Sequence, residues 1–146
     1  MERVLRACEA AARWHAGQWR KGPARLPYVT HVLEVARRVA ASPDADEDTV
    51  IAALLHDVVE DTEGTAQEIA ALFGRDVARI VAEVTDDKSL PKAQSKALQV
   101  ETVAGKSAHA RRIKLADKAA NLASLADTRP TGPLNAGAPI WTGPPR

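Results

Sequence analysis

Aromatic side chains are scarce: Trp14, Trp19, Tyr28, Phe73 and Trp141 are the whole complement of a 146-residue chain, 3% of its residues. The 45% hydrophobic fraction is carried instead by Ala, Val and Leu, a balance that favours packed helices over a sheet. Cysteine is nearly absent as well. Cys8 stands alone, which excludes an intrachain disulfide and a Cys-based zinc site and points to a reducing compartment. We read it as a small helix-face residue. No long apolar run is present: the longest, Val50 to Leu55, is far too short to span a bilayer, and the stretch from Met1-Glu2-Arg3 lacks the apolar h-region of a secretory signal. The expectation is a soluble, cytoplasmic protein with no membrane partner. There is no internal repeat, and the length suits one ordinary domain with a genuine core.

Net charge is also lacking, at only +1, but the total hides a segregation. Residues 1–40 carry eight Lys/Arg against three Asp/Glu, residues 41–87 carry two against thirteen, and residues 88–129 carry nine against three. An acidic middle therefore sits between basic flanks. Acidic groups there can hold a cation while basic groups around it hold phosphates, although solvated helix faces would give the same tally. The uniform basic stripe of a duplex-DNA binder is missing, so no nucleic acid partner is expected.

Helical spacing runs from Val4 to Ala16 and ends near Gly17. Gln18-Trp-Arg-Lys-Gly-Pro23 is a basic turn that places Arg20 and Lys21 to meet an anion. A second helix is expected over Tyr28 to Ala41, with Val29, Val32, Leu33, Val35, Ala36 and Val39 apolar and His31 beside that face. Asp46, Glu47 and Asp48 put negative charge at the start of a third, expected to run unbroken to about Asp61. Thr65-Ala-Gln-Glu68 is a capping box opening a short helix that Gly74 stops. Asp76 is expected to cap the next, and Thr85 to Pro91 forms a loop. Lys92 to Val103 regains helical composition, and Ser107 caps a last helix to about Asp127. Five of the nine prolines and three of the eight glycines then fall in residues 130–146, which are expected to be an irregular tail that Ile140 and Trp141 can pin in an apolar groove. The fold expected is all-α: one domain over 1–129 followed by the Pro/Gly-rich tail.

The chemistry gathers in Ala52 to Thr62. One imidazole and three carboxylates, His56, Asp57, Glu60 and Asp61, fall within six residues directly after an apolar run. On a continuous helix His56 and Glu60 stand one turn apart, as do Asp57 and Asp61. Carboxylates beside residues built for burial need a cation or a hydrogen-bond network. With His56 and Asp57, His31 from the second helix and Asp117 from the last would make two imidazoles and two carboxylates, a mixed nitrogen and oxygen set suited to Mn, Fe or Zn. On the last helix Lys114, Asp117 and Asn121 share one stripe.

Several blocks carry a resemblance: Gln18-Trp-Arg-Lys21, Pro27-Tyr-Val-Thr-His31, Ala53-Leu-Leu-His-Asp-Val-Val-Glu-Asp-Thr62, Phe73-Gly74, Val84-Thr-Asp-Asp-Lys88, Leu90-Pro-Lys92 and Lys114-Leu-Ala-Asp-Lys-Ala-Ala-Asn-Leu122. In this order they resemble the HD-domain hydrolases of the RelA/SpoT type, particularly the small stand-alone alarmone hydrolases related to the animal SpoT homologue. That resemblance implies an HD-domain helical bundle. It implies His31, His56, Asp57 and Asp117 as metal ligands, with Mn²⁺ the usual ion, and Glu60 and Asp61 as the acidic pair that assists catalysis. Arg20, Lys21 and Asn121 are implied as nucleotide contacts. The activity implied is removal of pyrophosphate from the 3′ position of ppGpp or pppGpp, giving GDP or GTP, with a metal-activated water as nucleophile and a guanine nucleotide alarmone as the partner. Glu60 would accept a proton or orient the water, while Asp61 would support it or orient a histidine ligand. Two other readings stay open: a 2′-phosphatase acting on NADPH or a related nucleotide hydrolase, and a truncated nucleotide-binding module without turnover. Oligomeric state is not legible.

Overall fold

Ile51, Ala52, Ala53, Leu54 and Leu55 are five consecutive residues, none more than 1% exposed. A helix that is apolar all round must be covered all round, and this one is the axis of the molecule. The computed structural model describes residues 1–94, 97–98 and 105–126. Its helices are α1 (Glu2–Trp14), α2 (Val29–Ala40), α3 (Glu47–Leu55), α4 (Val58–Asp61), α5 (Ala66–Phe73), α6 (Arg75–Val84) and α7 (Ala108–Ala126). Around α3 pack α1, α2, α6 and α7, while α5 lies on α6. Among the described residues there is no strand beyond one isolated bridge, Trp19 to Pro27. The all-α expectation holds. Each Leu, Ile or Val buried in this way contributes about 1.5–3 kcal/mol, so the helix that leads into the His56–Asp57 turn is also a principal source of stability. No helix is long and apolar enough to cross a membrane among the described residues.

The N-terminal end of α3 is tightly specified. Asp46 caps it by accepting from the Thr49 backbone N–H, and Glu47 and Asp48 occupy the first turn. Arg3 reaches across from α1 to both carboxylates, at 2.6 and 2.8 Å, and to the Phe73 carbonyl at 2.9 Å. Thr49 is fully buried. Its hydroxyl donates to Asp46 and lies 2.6 Å from His109 Nδ1 at the start of α7. That contact joins the first turns of α3 and α7.

Two expectations need correction. The third helix does not run unbroken to Asp61: α3 ends at Leu55, His56 and Asp57 form a turn, and α4 resumes for four residues. Asp76 is not the cap of α6. Gly74, at φ 101°, closes α5 and caps α6, because the chain reverses there in the left-handed region that glycine tolerates. Asp76 instead sits in the first turn, where its charge faces the positive end of the helix. The basic turn is present as expected. Backbone bonds from Arg20 to Leu26 and from Tyr28 to Gln18, both 2.8 Å, close residues 18–28 into a narrow reverse segment.

The Thr65/Glu68 capping box is present in full, and Ser107 Oγ accepts from the Ala110 N–H at 3.2 Å as a cap should. Past α4 the chain runs so close to α1 that a Cβ on Gly64 would collide with Val58 and press on the Trp14 indole. The helix expected over Lys92 to Val103 falls partly outside the described residues, and the end of the last helix at Asp127, the 129/130 division and the tail fall wholly outside them.

Candidate metal centre

His31 stands on α2, Asp117 on α7, and His56 and Asp57 in the turn between α3 and α4. In a continuous helix adjacent side chains diverge by about 100°. The turn overcomes this: Asp57 sits at φ −100°, ψ −1°, the bridge conformation often found at functional sites, and both side chains aim at one point. His31 and His56 are 2% and 5% exposed. Their Nε2 atoms and one oxygen from each aspartate form a tight set. His31 Nε2 lies 3.0 Å from Asp117 Oδ1 and 3.8 Å from Asp57 Oδ2, while His56 Nε2 lies 3.0 Å from Asp57 Oδ2 and 3.6 Å from Asp117 Oδ1. Donors sharing one first-row dication at bonds of about 2.0–2.2 Å stand apart by distances of this kind.

The donor chemistry fits a cation on independent grounds. His56 Nδ1 lies 2.7 Å from the Ala53 carbonyl, so it carries a proton. In the neutral ring Nε2 then presents a lone pair, and that atom is buried without a hydrogen-bond partner while facing two carboxylates. Lone pairs converging in a buried site require positive charge between them. The charges around the site likewise favour a positive group there. Burial opposes a charged His56, but the Asp117 and Asp57 carboxylates that face its Nε2 outweigh it and raise its pKa to about 10. Burial likewise pushes Asp117 and Asp57 upward, yet the His31 and His56 contacts at Asp117 and the His56 contact at Asp57 hold both below the usual carboxylate range.

Glu60 and Asp61 sit beyond the turn on α4 and face a different set of partners. Glu60 Oε1 accepts the Asp86 backbone N–H at 2.7 Å, and Asp61 Oδ1 accepts Lys88 Nζ at 2.6 Å. Burial raises the Glu60 carboxyl, the Asp86 N–H pulls it back, and the charges of Asp86, Asp57 and Asp61 push it up again, leaving it above its ordinary value. Asp57, Glu60 and Asp61 bring carboxylate oxygens within 4.8 Å of one another. A carboxylate with a raised pKa beside a cation site is equipped to receive a proton.

The residues expected to touch nucleotide are less unified. Arg20, only 13% exposed, pairs with Glu34 of α2 at 3.5 Å, and the same Glu34 also holds Arg38. Lys21 is exposed in the turn. Asn121 is exposed and donates to Asp117 Oδ1 at 3.2 Å.

Sequence reasoning missed several supporting groups. Tyr28 donates its hydroxyl to Asp57 Oδ2 at 2.6 Å and sets its ring tilted against His31, ring centroids 5.5 Å apart. Burial, then the neighbouring carboxylates, push that phenol far above its normal range. Gln18 donates to the Asp61 carbonyl at 2.7 Å and meets His15 Nδ1 at 2.7 Å. Lys114 holds the Asp86 carboxylate at 3.0 and 3.1 Å. Tyr28 and Gln18 lie within the quoted blocks, and Lys114 shares the Asp117 stripe, so position was available as a signal while partner was not.

The HD-domain family profile matches residues 7–136. The chain is 46% identical over 131 residues to the guanosine-3′,5′-bis(diphosphate) 3′-pyrophosphohydrolase MESH1 of Drosophila melanogaster, covering 89% of this chain and 73% of that protein. Against MESH1 of Homo sapiens it is 46% identical over 130 residues, covering 88% and 73%. It is also 35% identical over 136 residues to the bifunctional (p)ppGpp synthase/hydrolase SpoT of Escherichia coli strain K12, covering 89% of this chain but 19% of SpoT. Among solved structures, a metazoan ortholog of SpoT that hydrolyzes ppGpp and plays a role in starvation responses matches with a TM-score of 0.83 at 45% identity, over 86% of this chain and 71% of that one.

Proposed function

The chain belongs to the HD-domain family, alongside the ppGpp 3′-pyrophosphohydrolases it matches along most of its length, and from that premise we propose that it hydrolyses ppGpp or pppGpp to GDP or GTP and pyrophosphate. The observation that carries this reading is the convergence of His31, His56 and Asp117 around an unpartnered buried Nε2, with Asp57 Oδ2 3.0 Å from that atom and grouped in turn with Glu60 and Asp61.

His31, His56, Asp57 and Asp117 would hold one divalent ion, Mn²⁺ by the family resemblance. Such an ion supplies Lewis-acid polarisation of a phosphoryl oxygen and a lowered pKa for water at the site. The chain's own groups do the rest. Tyr28 fixes the Asp57 carboxylate through its hydroxyl, and the Ala53 carbonyl fixes the His56 tautomer. Glu60 accepts the proton lost as a water oxygen attacks the phosphorus joined to the ribose 3′ oxygen; that phosphorus–oxygen bond breaks, the 3′ oxygen leaves and takes a proton from solvent to become a hydroxyl, and Glu60 returns its proton to solvent. Asp61, tethered to Lys88, holds negative charge beside Glu60 and so favours its protonated state. Arg20, Lys21 and Asn121 meet the phosphates and nucleoside, which requires the Arg20 guanidinium to exchange Glu34 for phosphate.

Incubating the purified protein with ppGpp and Mn²⁺ is expected to release pyrophosphate and GDP in equal amounts, with loss on chelation and recovery on readdition of Mn²⁺. No pyrophosphate with Mn²⁺ or any other divalent ion overturns the reading. NADPH in parallel separates a 3′-pyrophosphohydrolase from a 2′-phosphatase by the ratio of kcat/KM.

A further inference from the structure

Asp86 is held from two sides. Its backbone N–H points at Glu60 Oε1, 2.7 Å away, and its carboxylate is gripped through both oxygens by Lys114 Nζ at 3.0 and 3.1 Å. The Lys114 side chain is 15% exposed and that of Asp86 27%, so the pair is largely withdrawn from water and held harder than a surface contact. Lys114 is also one turn before Asp117 on α7 and is therefore anchored to the helix that supplies a donor to the cation site.

The loop beyond α6 uses local bonds for its own shape. Thr85 returns to the Val81 carbonyl, and Asp87 accepts from Ser89. None of these bonds fixes where the loop stands relative to α4. The Lys114 grip ties the loop to α7, and beside that tie the Asp86 N–H meets Glu60 and Lys88 Nζ meets Asp61 on α4.

We infer that Lys114 is a positioning residue for the acidic pair: by holding the Asp86 carboxylate it keeps the 85–88 loop docked, so that Glu60 is oriented by a backbone N–H. This rests on Glu60 being the proton acceptor proposed above. Lys114 itself touches neither Glu60 nor the four donors. A neutral side chain of similar length would free the loop, leaving Glu60 with one fewer fixed donor and its carboxylate free to turn, while the cation site and the phosphate contacts stay intact. The role belongs to charge and reach, so arginine, which also grips a carboxylate through two bonds, can take it over.

The test compares Lys114→Met, Lys114→Arg and Asp86→Asn with the wild-type full chain at saturating Mn²⁺. Lys114→Met is expected to lower kcat about tenfold, the scale of losing an outer partner, with KM for ppGpp within about twofold and bound metal unchanged. Lys114→Arg is expected to recover most of the loss. Asp86→Asn keeps the backbone N–H but removes the charge that Lys114 holds, and combining it with Lys114→Met is expected to cost less than the sum of the two single losses. Independently of turnover, amide hydrogen exchange at Asp86 is expected to accelerate about tenfold in Lys114→Met and remain near wild type in Lys114→Arg. A wild-type kcat in Lys114→Met, a change confined to KM, additive losses in the double variant, or unchanged Asp86 exchange each overturns the inference. Where Lys114→Met fails to fold, Asp86→Asn alone decides, a wild-type kcat overturning it and a loss confined to kcat supporting it. If the wild-type protein releases no pyrophosphate, the substrate reading fails and the Asp86 exchange result still decides this one.

Discussion

The four-donor cluster and the acidic pair are neighbours in sequence but are built in opposite ways. His31, His56, Asp57 and Asp117 come from α2, the α3–α4 turn and α7, all packed on the most buried helix of the molecule, and both imidazoles are almost wholly enclosed. Glu60 and Asp61 stand on a single four-residue turn of helix. They are steadied by a loop whose Lys88 is 59% exposed, and the Asp61 side chain itself is 33% exposed. Groups that must converge on one ion to within tenths of an ångström are placed on rigid scaffold. On the function proposed, the pair that would receive a proton as bonds change is placed on the more adjustable part, within reach of solvent.

That contrast can be broken in order of severity. Replacing a cluster member, His56→Ala or Asp117→Ala, is expected to remove both bound metal and activity to background, read as metal content beside pyrophosphate release; a variant that keeps its metal and its turnover would show that the cluster is not the ion site. Glu60→Gln is expected to retain metal while kcat falls about 10²–10⁴-fold, the usual worth of a general base. Loss of metal in Glu60→Gln would instead merge the two regions into one. The gentlest probe is pH. His56 is raised to about 10, so at neutral pH the metal-free ring is protonated, and binding through Nε2 must expel that proton. Mn²⁺ affinity is therefore expected to rise about tenfold per pH unit between 6 and 8, with close to one proton released per ion in calorimetry across buffers. Glu60 is also raised, chiefly by burial. At saturating metal, kcat should fall as acid protonates it at a pH above the ordinary glutamate value. A single titration governing both metal loading and kcat would contradict the separation.

The residues of the cluster were legible because their chemistry is rare in an apolar setting: an imidazole and carboxylates directly after Val50 to Leu55 demand an explanation wherever they fold. The break at His56-Asp57 was not, since Leu54, Leu55, Val58 and Val59 keep a spacing that suits either a helix or a helix broken once. Arg20 shows another limit. Its sequence neighbourhood marks an exposed basic turn, yet its partner Glu34 lies on α2, and only the closed 18–28 segment brings them together. Asp86 and Lys88 read as plain loop polarity, because what they hold is decided by where α4 and α7 lie beneath them. The capping box at Thr65 needed no such help: all of its bonds are local.

The Thr49–His109 contact sets a ruler. It pins the first turns of α3 and α7 together, and seven residues on from Thr49 stands His56, eight on from His109 stands Asp117. Two helices joined at one end and meeting again at the other run in the same direction, and at about 1.5 Å per residue both arms measure out nearly the same length from a shared zero. Register between them is thereby fixed: a slip of one residue along α7 would carry Asp117 about 1.5 Å past His31 and His56, comparable to the whole difference between gripping an ion and missing it.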